Sequence, residues 1–258
     1  MSRLIRLCLL FTLLPVWPLA AADLAREARI AAQIEEAILD GEVLRLQAGT
    51  VEFLAVYRPA AAAQRRGAAI LLHGRGGHPE WAEVIRPLAL GLPEHGWDTL
   101  AIQLPVAAAD APPRDWEALL PEAGPRISAA LDWLGQQGRD NPVLVGHSLG
   151  ARMAVAYLAT ASPQAPVRAL VAIGLPAAGT DSPTMAELRQ LRLPLLDIYG
   201  ERDLPLVREG AADREQAARA AGNRTYTQVS VPGADHFFTA LDDTLVSRVR
   251  AWLSRLGG

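Results

Sequence analysis

The stretch Pro142-Val143-Leu144-Val145-Gly146-His147-Ser148-Leu149-Gly150 decides the fold prediction, because an apolar run leads directly into a serine framed by two glycines. A helical pattern, Ala151-Arg152-Met153-Ala154-Val155, follows at once. Glycine two residues to either side of Ser148 removes the Cβ atoms that would collide in so sharp a strand-to-helix turn. The serine hydroxyl then projects at the N-terminus of a helix, whose backbone N–H groups favour developing negative charge. This pattern predicts that Ser148 is a nucleophile.

Outside this stretch, apolar segments alternate with amphipathic ones. Residues 23–42 carry a helical pattern, and the alternating segments Val43–Leu46 and Val51–Tyr57 predict a hairpin of strands. From residue 68 onward strands and helices alternate, which predicts a mostly parallel, twisted sheet with helices on both faces. The hairpin supplies antiparallel N-terminal edge strands. We therefore predict an α/β domain over residues 43–258 after an N-terminal helix.

The first 22 residues read as a secretory signal peptide. Arg3 and Arg6 precede an apolar run that prolines interrupt, and Ala20-Ala21-Ala22 resembles a cleavage site before Asp23. We expect export, to the periplasm or beyond the cell, with no stable membrane span after cleavage. The single cysteine, Cys8, lies inside this segment, so the mature chain would have neither disulfides nor a catalytic thiol.

Composition excludes several classes of site. All 25 basic residues of the 258-residue chain are arginine, so a lysine Schiff base and a phosphate-binding loop ending in lysine are impossible. No zinc-binding spacing of histidine or cysteine occurs, so neither a metal nor a cofactor is expected. The formal net charge of −3 gives no indication of a nucleic-acid partner. The sequence does not indicate an oligomeric state.

A serine nucleophile needs a base, and the base needs an orienting carboxylate. His236 follows the predicted strand Thr227–Val231, and Asp203 follows the predicted strand Pro194–Tyr199. Asp197 and Glu201 are alternatives for the carboxylate, and Asp203 is preferred for its place in the loop. The order Ser148, Asp203, His236 is typical of the α/β-hydrolase topology rather than of trypsin-like or subtilisin-like proteases.

Because of the motif around Ser148 and the order of Ser148, Asp203 and His236, the sequence resembles an α/β-hydrolase. The resemblance covers about residues 43–256. More narrowly, His73-Gly74-Arg75-Gly76-Gly77-His78 and Gly96-Trp97-Asp98-Thr99 resemble an uncharacterised family of exported proteobacterial proteins. The resemblance implies that Ser148 is the nucleophile, Asp203 the acid and His236 the base. It also implies that the backbone N–H groups of Arg75 and Leu149 form the oxyanion hole.

Three functions fit these motifs. A serine hydrolase with an acyl-enzyme intermediate, acting as a carboxylesterase on small or short-chain esters, comes first. The alternatives are a non-catalytic envelope binding protein that keeps the fold, and an acyltransferase with the same triad. Only residues 174–193 separate two predicted strands where the family often carries a lid. This brevity predicts a small cap, with room for one helix over Pro183–Leu191, and a short acyl group.

Overall fold

The computed structural model describes residues 22–161 and 166–256. The predicted signal peptide, apart from Ala22, lies outside the described residues. The strands in chain order are β1 (Glu42–Ala48), β2 (Val51–Arg58), β3 (Gly67–Leu72), β4 (Trp97–Ile102), β5 (Pro142–His147), β6 (Ala169–Ile173), β7 (Leu195–Gly200) and β8 (Tyr226–Val231). The helices are α1 (Leu24–Ala37), α2 (Ile85–Gly91), α3 (Pro113–Glu117), α4 (Leu120–Gln136), α5 (Leu149–Thr160), α6 (Pro183–Leu188), α7 (Pro205–Glu209), α8 (Ala211–Ala220) and α9 (Asp242–Leu253).

The eight strands form one sheet in the order β1-β2-β4-β3-β5-β6-β7-β8. β1 pairs antiparallel with β2, and β2 pairs antiparallel with β4, whereas the pairs from β3 onward are parallel. This is the predicted fold class, a mostly parallel sheet with antiparallel N-terminal edge strands. The carboxyl ends of β3, β5, β7 and β8 therefore open onto one edge of the sheet, and the loops that leave them carry the predicted site residues.

The sheet separates two apolar layers. Along β3 and β5 alternate residues face opposite ways: Ile70, Leu72 and Leu144 belong to one core, and Leu71 and Val143 to the other. Side chains of α4 and α5 fill the first core, and those of α2 and α9 fill the second. Burial on both faces explains why the central strands are almost wholly apolar.

Two stretches with a helical sequence pattern are each divided in the structure. The pattern Trp116–Leu134 forms α3 and α4, with Pro121 in the first turn of α4. Proline has no N–H to donate to the preceding turn, so it can start a helix more easily than continue one. The pattern Val207–Ala221 forms α7 and α8, which meet at Gly210. A Cβ at that position would lie 1.7 Å from the carbonyl oxygen of Ala177, so the close contact of the two backbones requires glycine.

The N-terminal helix α1 packs on the sheet. Ala31 and Ile34 form a small core with Leu54 and Val56 of β2. Near its start, buried Glu27 accepts a 2.7 Å hydrogen bond from Arg126 of α4. Desolvation raises the pKa of Glu27 and outweighs the lowering effect of Arg126. Removing one partner of such a buried pair lowers the stability of the fold, because the other partner stays buried without a counter-charge.

The same end of α1 contacts two loops at the carboxyl edge of the sheet. The N–H of Asp23 donates to the carbonyl of Val106 at 2.7 Å, and the N–H of Val106 donates to Glu27 at 3.1 Å. The Arg26 guanidinium donates to the carbonyls of Ala107 at 2.8 Å and Gly76 at 3.5 Å. α1 is therefore joined both to the loop after β4 and to the loop after β3.

Candidate active site

Ser148 lies on a strained turn between β5 and α5. Its φ is 52° and its ψ is −117°, a backbone conformation that residues other than glycine rarely adopt. Its N–H donates to the carbonyl of Ile173, at the end of β6, over 2.8 Å. The turn leaves no room beside the serine: a Cβ at Gly146 would lie 2.6 Å from the nitrogen of Ala151, and one at Gly150 would lie 2.3 Å from the carbonyl oxygen of Leu72. The two glycines of the motif are therefore steric requirements.

Ser148, His236 and Asp203 form a hydrogen-bonded chain. Nε2 of His236 lies 2.9 Å from Oγ of Ser148, and Nδ1 lies 2.6 Å from Oδ1 of Asp203. Both His236 and Asp203 are buried. The Asp203 carboxylate also accepts from the N–H of Leu204 at 2.7 Å and that of Gly200 at 3.2 Å. Three donors thus fix this carboxylate, and Nδ1 of His236 must carry a proton to be one of them.

The other acidic residues near the site have different partners. Asp197 is fully buried and accepts from Arg214 at 2.8 Å, Tyr226 at 2.7 Å and Gln228 at 2.9 Å. Glu201 accepts from the N–H of Gly233 at 2.8 Å. Among the three carboxylates weighed from the sequence, Asp203 is the one that contacts His236.

His147 and His73 hold neighbouring loops in place. Nε2 of His147 donates to the carbonyl of His236 at 2.9 Å. Nε2 of His73 accepts from the N–H of Leu104 at 2.9 Å, and its Nδ1 donates to the carbonyl of Gly74 at 2.8 Å. Desolvation lowers the pKa of His147 to about 4 and that of His73 to about 3. Both rings are therefore neutral at pH 7 and act as structural hydrogen-bonding groups.

A cleft of about 570 Å³ opens beside the serine, and Ser148 and His236 both line it. Arg75 and Leu149, whose N–H groups are the predicted oxyanion donors, line the same cleft. Its apolar walls are formed by Trp81, Trp116, Leu149, Leu204, Leu206 and Phe237. The structure thus brings together all five residues predicted for the site.

The segment after β6 contributes little to this cleft. Within residues 174–193, Pro176 lines it, whereas α6 turns Met185 and Leu188 into the core. Arg152 of α5 forms an ion pair with Glu187 of α6. The short segment therefore packs on the domain and leaves the cleft open.

Sequence reasoning missed most of the cleft wall. Leu204 and Phe237 directly follow Asp203 and His236 in the chain, and this adjacency was the available signal. Trp116 comes from α3, distant in sequence, and no local pattern places it beside Ser148. A second cavity, of about 290 Å³, lies between α1 and α2. None of the predicted site residues is among the residues that line it.

Within residues 22–161 and 166–256, no cluster of three or more histidine, cysteine or acidic side chains could hold a metal ion. In the same part of the chain, no helix combines the length and apolar character needed to cross a bilayer.

The fold is shared with solved structures that include an α/β serine hydrolase and a dienelactone hydrolase. Est1E from Butyrivibrio proteoclasticus superposes with a TM-score of 0.66 at 14% identity, over 84% of this chain and 99% of that one. XC6422 from Xanthomonas campestris, a serine hydrolase without a lid, gives 0.64 at 19% identity over 84% and 95%. Dienelactone hydrolase from Anabaena variabilis gives 0.64 at 21% identity over 84% and 97%. At these identities the likeness shows the fold.

Sequence comparison identifies the family. No curated protein sequence matches the chain significantly. A family model described as "Protein of unknown function (DUF3530)" matches residues 14–125 and 122–255, which is most of the chain. The chain therefore belongs to the DUF3530 family.

Proposed function

We propose that this protein is a serine hydrolase, a carboxylesterase that acts on small or short-chain esters through an acyl-enzyme. The observation that carries the proposal is the chain from Asp203 through His236 to Ser148, with Oγ of the serine 2.9 Å from Nε2 of the histidine in an open cleft. A binding protein has no physical need for these three groups in this order.

In the proposed reaction, Oγ of Ser148 attacks the ester carbonyl carbon while Nε2 of His236 takes the hydroxyl proton. Asp203 stabilises the imidazolium that forms. The carbonyl oxygen becomes an oxyanion, for which the N–H groups of Arg75 and Leu149 are the proposed donors. When the tetrahedral intermediate collapses, the C–O bond to the alcohol breaks and His236 returns the proton to the departing oxygen. Water then attacks the acyl carbon with His236 as base. The bond between that carbon and Oγ of Ser148 breaks, His236 returns the proton to Oγ, and the acid is released.

The test is covalent labelling with a fluorophosphonate probe, read by intact-protein mass. Wild-type protein should gain one adduct at Ser148, and Ser148→Ala should gain none. Ser254→Ala is the matched control, since Ser254 is exposed at the end of α9 and should not affect labelling. Undiminished labelling or ester hydrolysis by folded Ser148→Ala protein would overturn the proposal. If the wild-type protein takes no label, the non-catalytic alternative is favoured.

The short-chain preference is supported by the short segment 174–193 and by the cleft volume of about 570 Å³. A long acyl chain usually needs an extended groove or a lid that excludes water. With p-nitrophenyl esters of two to sixteen carbons, kcat/KM should be highest at the short end and fall beyond about eight carbons. Past that length, an added CH₂ would no longer gain its burial energy of about 0.8 kcal/mol. A maximum at twelve carbons or more would contradict this preference.

We also propose that residues 1–22 direct export to the periplasm and are then removed. Mass spectrometry of the mature protein should find Asp23 at the N-terminus. A cytosolic product that begins at Met1 would contradict the proposal.

A further inference from the structure

The turn after β3 presents an arginine side chain to the cleft. The N–H of Gly77 donates to the carbonyl of Gly74 at 3.1 Å, and Gly76 has a φ of 70°, as the third position of a type II turn requires. Arg75 occupies the second position and is exposed. Its guanidinium carbon lies 6.0 Å from the ring centroid of Trp116, which holds the cation against an aromatic face of the cleft.

The charge of Arg75 is not neutralised by the part of the chain that the structure describes. Arg75 takes part in none of the ion pairs there, although Glu117 also lines the cleft. Neighbouring arginines are engaged: Arg26 donates to the carbonyls of Ala107 and Gly76, and Arg208 donates to the carbonyl of Asp203 at 2.9 Å. Within residues 22–161 and 166–256, the Arg75 side chain therefore has no anionic partner, and its hydrogen-bond donors are available at the cleft.

Among the described residues that line the cleft, Arg75 is the one arginine. Leu204, Leu206 and Phe237 are apolar and each about half exposed, at 49%, 51% and 42%. The buried ring of His147 is neutral at pH 7, because desolvation lowers its pKa to about 4. The cleft thus combines an apolar wall with one guanidinium and one exposed carboxylate, that of Glu117. The apolar wall and the guanidinium together suit a molecule that carries an apolar group and an anion.

We propose that the Arg75 side chain binds an anionic group of the substrate, so that the natural substrate is an ester that also carries a carboxylate or a similar oxyanion. The planar guanidinium matches such a group through two parallel N–H···O bonds. This inference rests on the proposed function. It adds a specificity role for the side chain to the proposed oxyanion role of the Arg75 backbone.

The test compares esters that differ in charge and little in size. Phenyl hexanoate is paired with phenyl hydrogen adipate, which places a carboxylate on the acyl side. 4-Carbamoylphenyl butanoate is paired with 4-carboxyphenyl butanoate, which places it on the alcohol side. The readout is the ratio of kcat/KM for the anionic ester to kcat/KM for the neutral one. Arg75→Gln keeps the backbone N–H, and any shift of that N–H affects both members of a pair, so the ratio isolates the side chain.

In at least one pair the ratio should fall about fivefold in Arg75→Gln, the upper range for an exposed ion pair, and further in Arg75→Glu. The wild-type ratio should also fall in 0.5 M NaCl, because salt screens exposed charges. Arg114→Gln is the matched control: its side chain is 86% exposed on α3 and faces Asp115, and the ratios should not change.

Equal ratios in wild type and Arg75→Gln for both pairs would overturn the inference. In that case hydrolysis of the neutral esters would leave the proposed function intact. Failure of the proposed function looks different, because the wild-type protein would then hydrolyse none of the four esters and would take no fluorophosphonate label.

Discussion

Nε2 of His147, the residue before the serine, lies 2.9 Å from the carbonyl oxygen of His236. A carbonyl can only accept, so the neutral ring donates and links the end of β5 to the backbone of the proposed base. We predict that His147→Phe lowers kcat roughly fivefold, the cost of about 1 kcal/mol for one lost hydrogen bond, with KM little changed. Steady-state kinetics with His95→Phe as the control would test this. A change in KM alone would point to a role in binding the substrate instead.

Asp203 and Asp197 should respond differently to the same substitution. Asp203→Asn should lower kcat by about three to four orders of magnitude, because His236 loses its orienting charge. Asp197→Asn should instead lower the free energy of unfolding by about 3–5 kcal/mol, since fully buried Arg214 loses its charged partner. Urea unfolding and kinetics on both variants separate the two effects. Near-normal activity in Asp203→Asn would return Glu201 to consideration as the acid.

Gly174 borders the proposed base. It has a φ of 58°, and a Cβ there would lie 3.0 Å from Nδ1 and Cε1 of His236. Gly174→Ala should lower kcat at least tenfold by displacing the ring. Gly179→Ala is the control, because Gly179 has a φ of 82° but a Cβ there would meet no other atom within 4 Å. Both variants carry a similar backbone penalty, so a difference in kcat between them measures the contact with His236. Equal kcat values would contradict this prediction.

Stability should fall in acid, because two buried histidines stay neutral in the folded protein. The pKa of His73 is lowered to about 3 and that of His147 to about 4, against 6.5 for the free side chain. Between those values and pH 6.5 the unfolded chain binds more protons than the folded one, so lowering the pH favours unfolding. Each histidine should contribute up to about 1.4 kcal/mol per pH unit in this window.

Urea unfolding of wild type and His73→Gln between pH 4.5 and 8 tests this linkage. The variant should show a smaller loss of stability below pH 6 and the same pH dependence as wild type at pH 7–8. Parallel curves over the whole range would show that His73 does not titrate on unfolding.

The sequence predicted the fold class correctly because the central strands are buried on both faces and are therefore apolar throughout. It predicted element boundaries less well where one residue overrides a periodic pattern, as Pro121 and Gly210 do. The proximity of Ser148, Asp203 and His236 could be predicted from the motif and the chain order, since the carboxyl ends of parallel strands meet at one edge of a sheet. Their catalytic roles stay predictions.

Other parts of the site could not be read from local patterns. The pairing of Glu27 with Arg126 joins residues 99 positions apart, and a helical pattern does not say which surface it covers. The place of Trp116 in the cleft depends on the path of the loop before α3. The orientation of Leu204 and Leu206 depends on the turn that Asp203 stabilises.

The contacts of α1 with the loops after β3 and β4 have a practical consequence for handling the protein. An affinity tag fused directly before Asp23 would begin beside Val106, next to the turn that carries Arg75. The other end of the chain is a safer position, because Leu256 accepts a hydrogen bond from Arg168, just before β6, at the opposite edge of the sheet. Enzymologists should therefore place tags after residue 258 and compare any N-terminally tagged preparation with protein that carries no tag before Asp23.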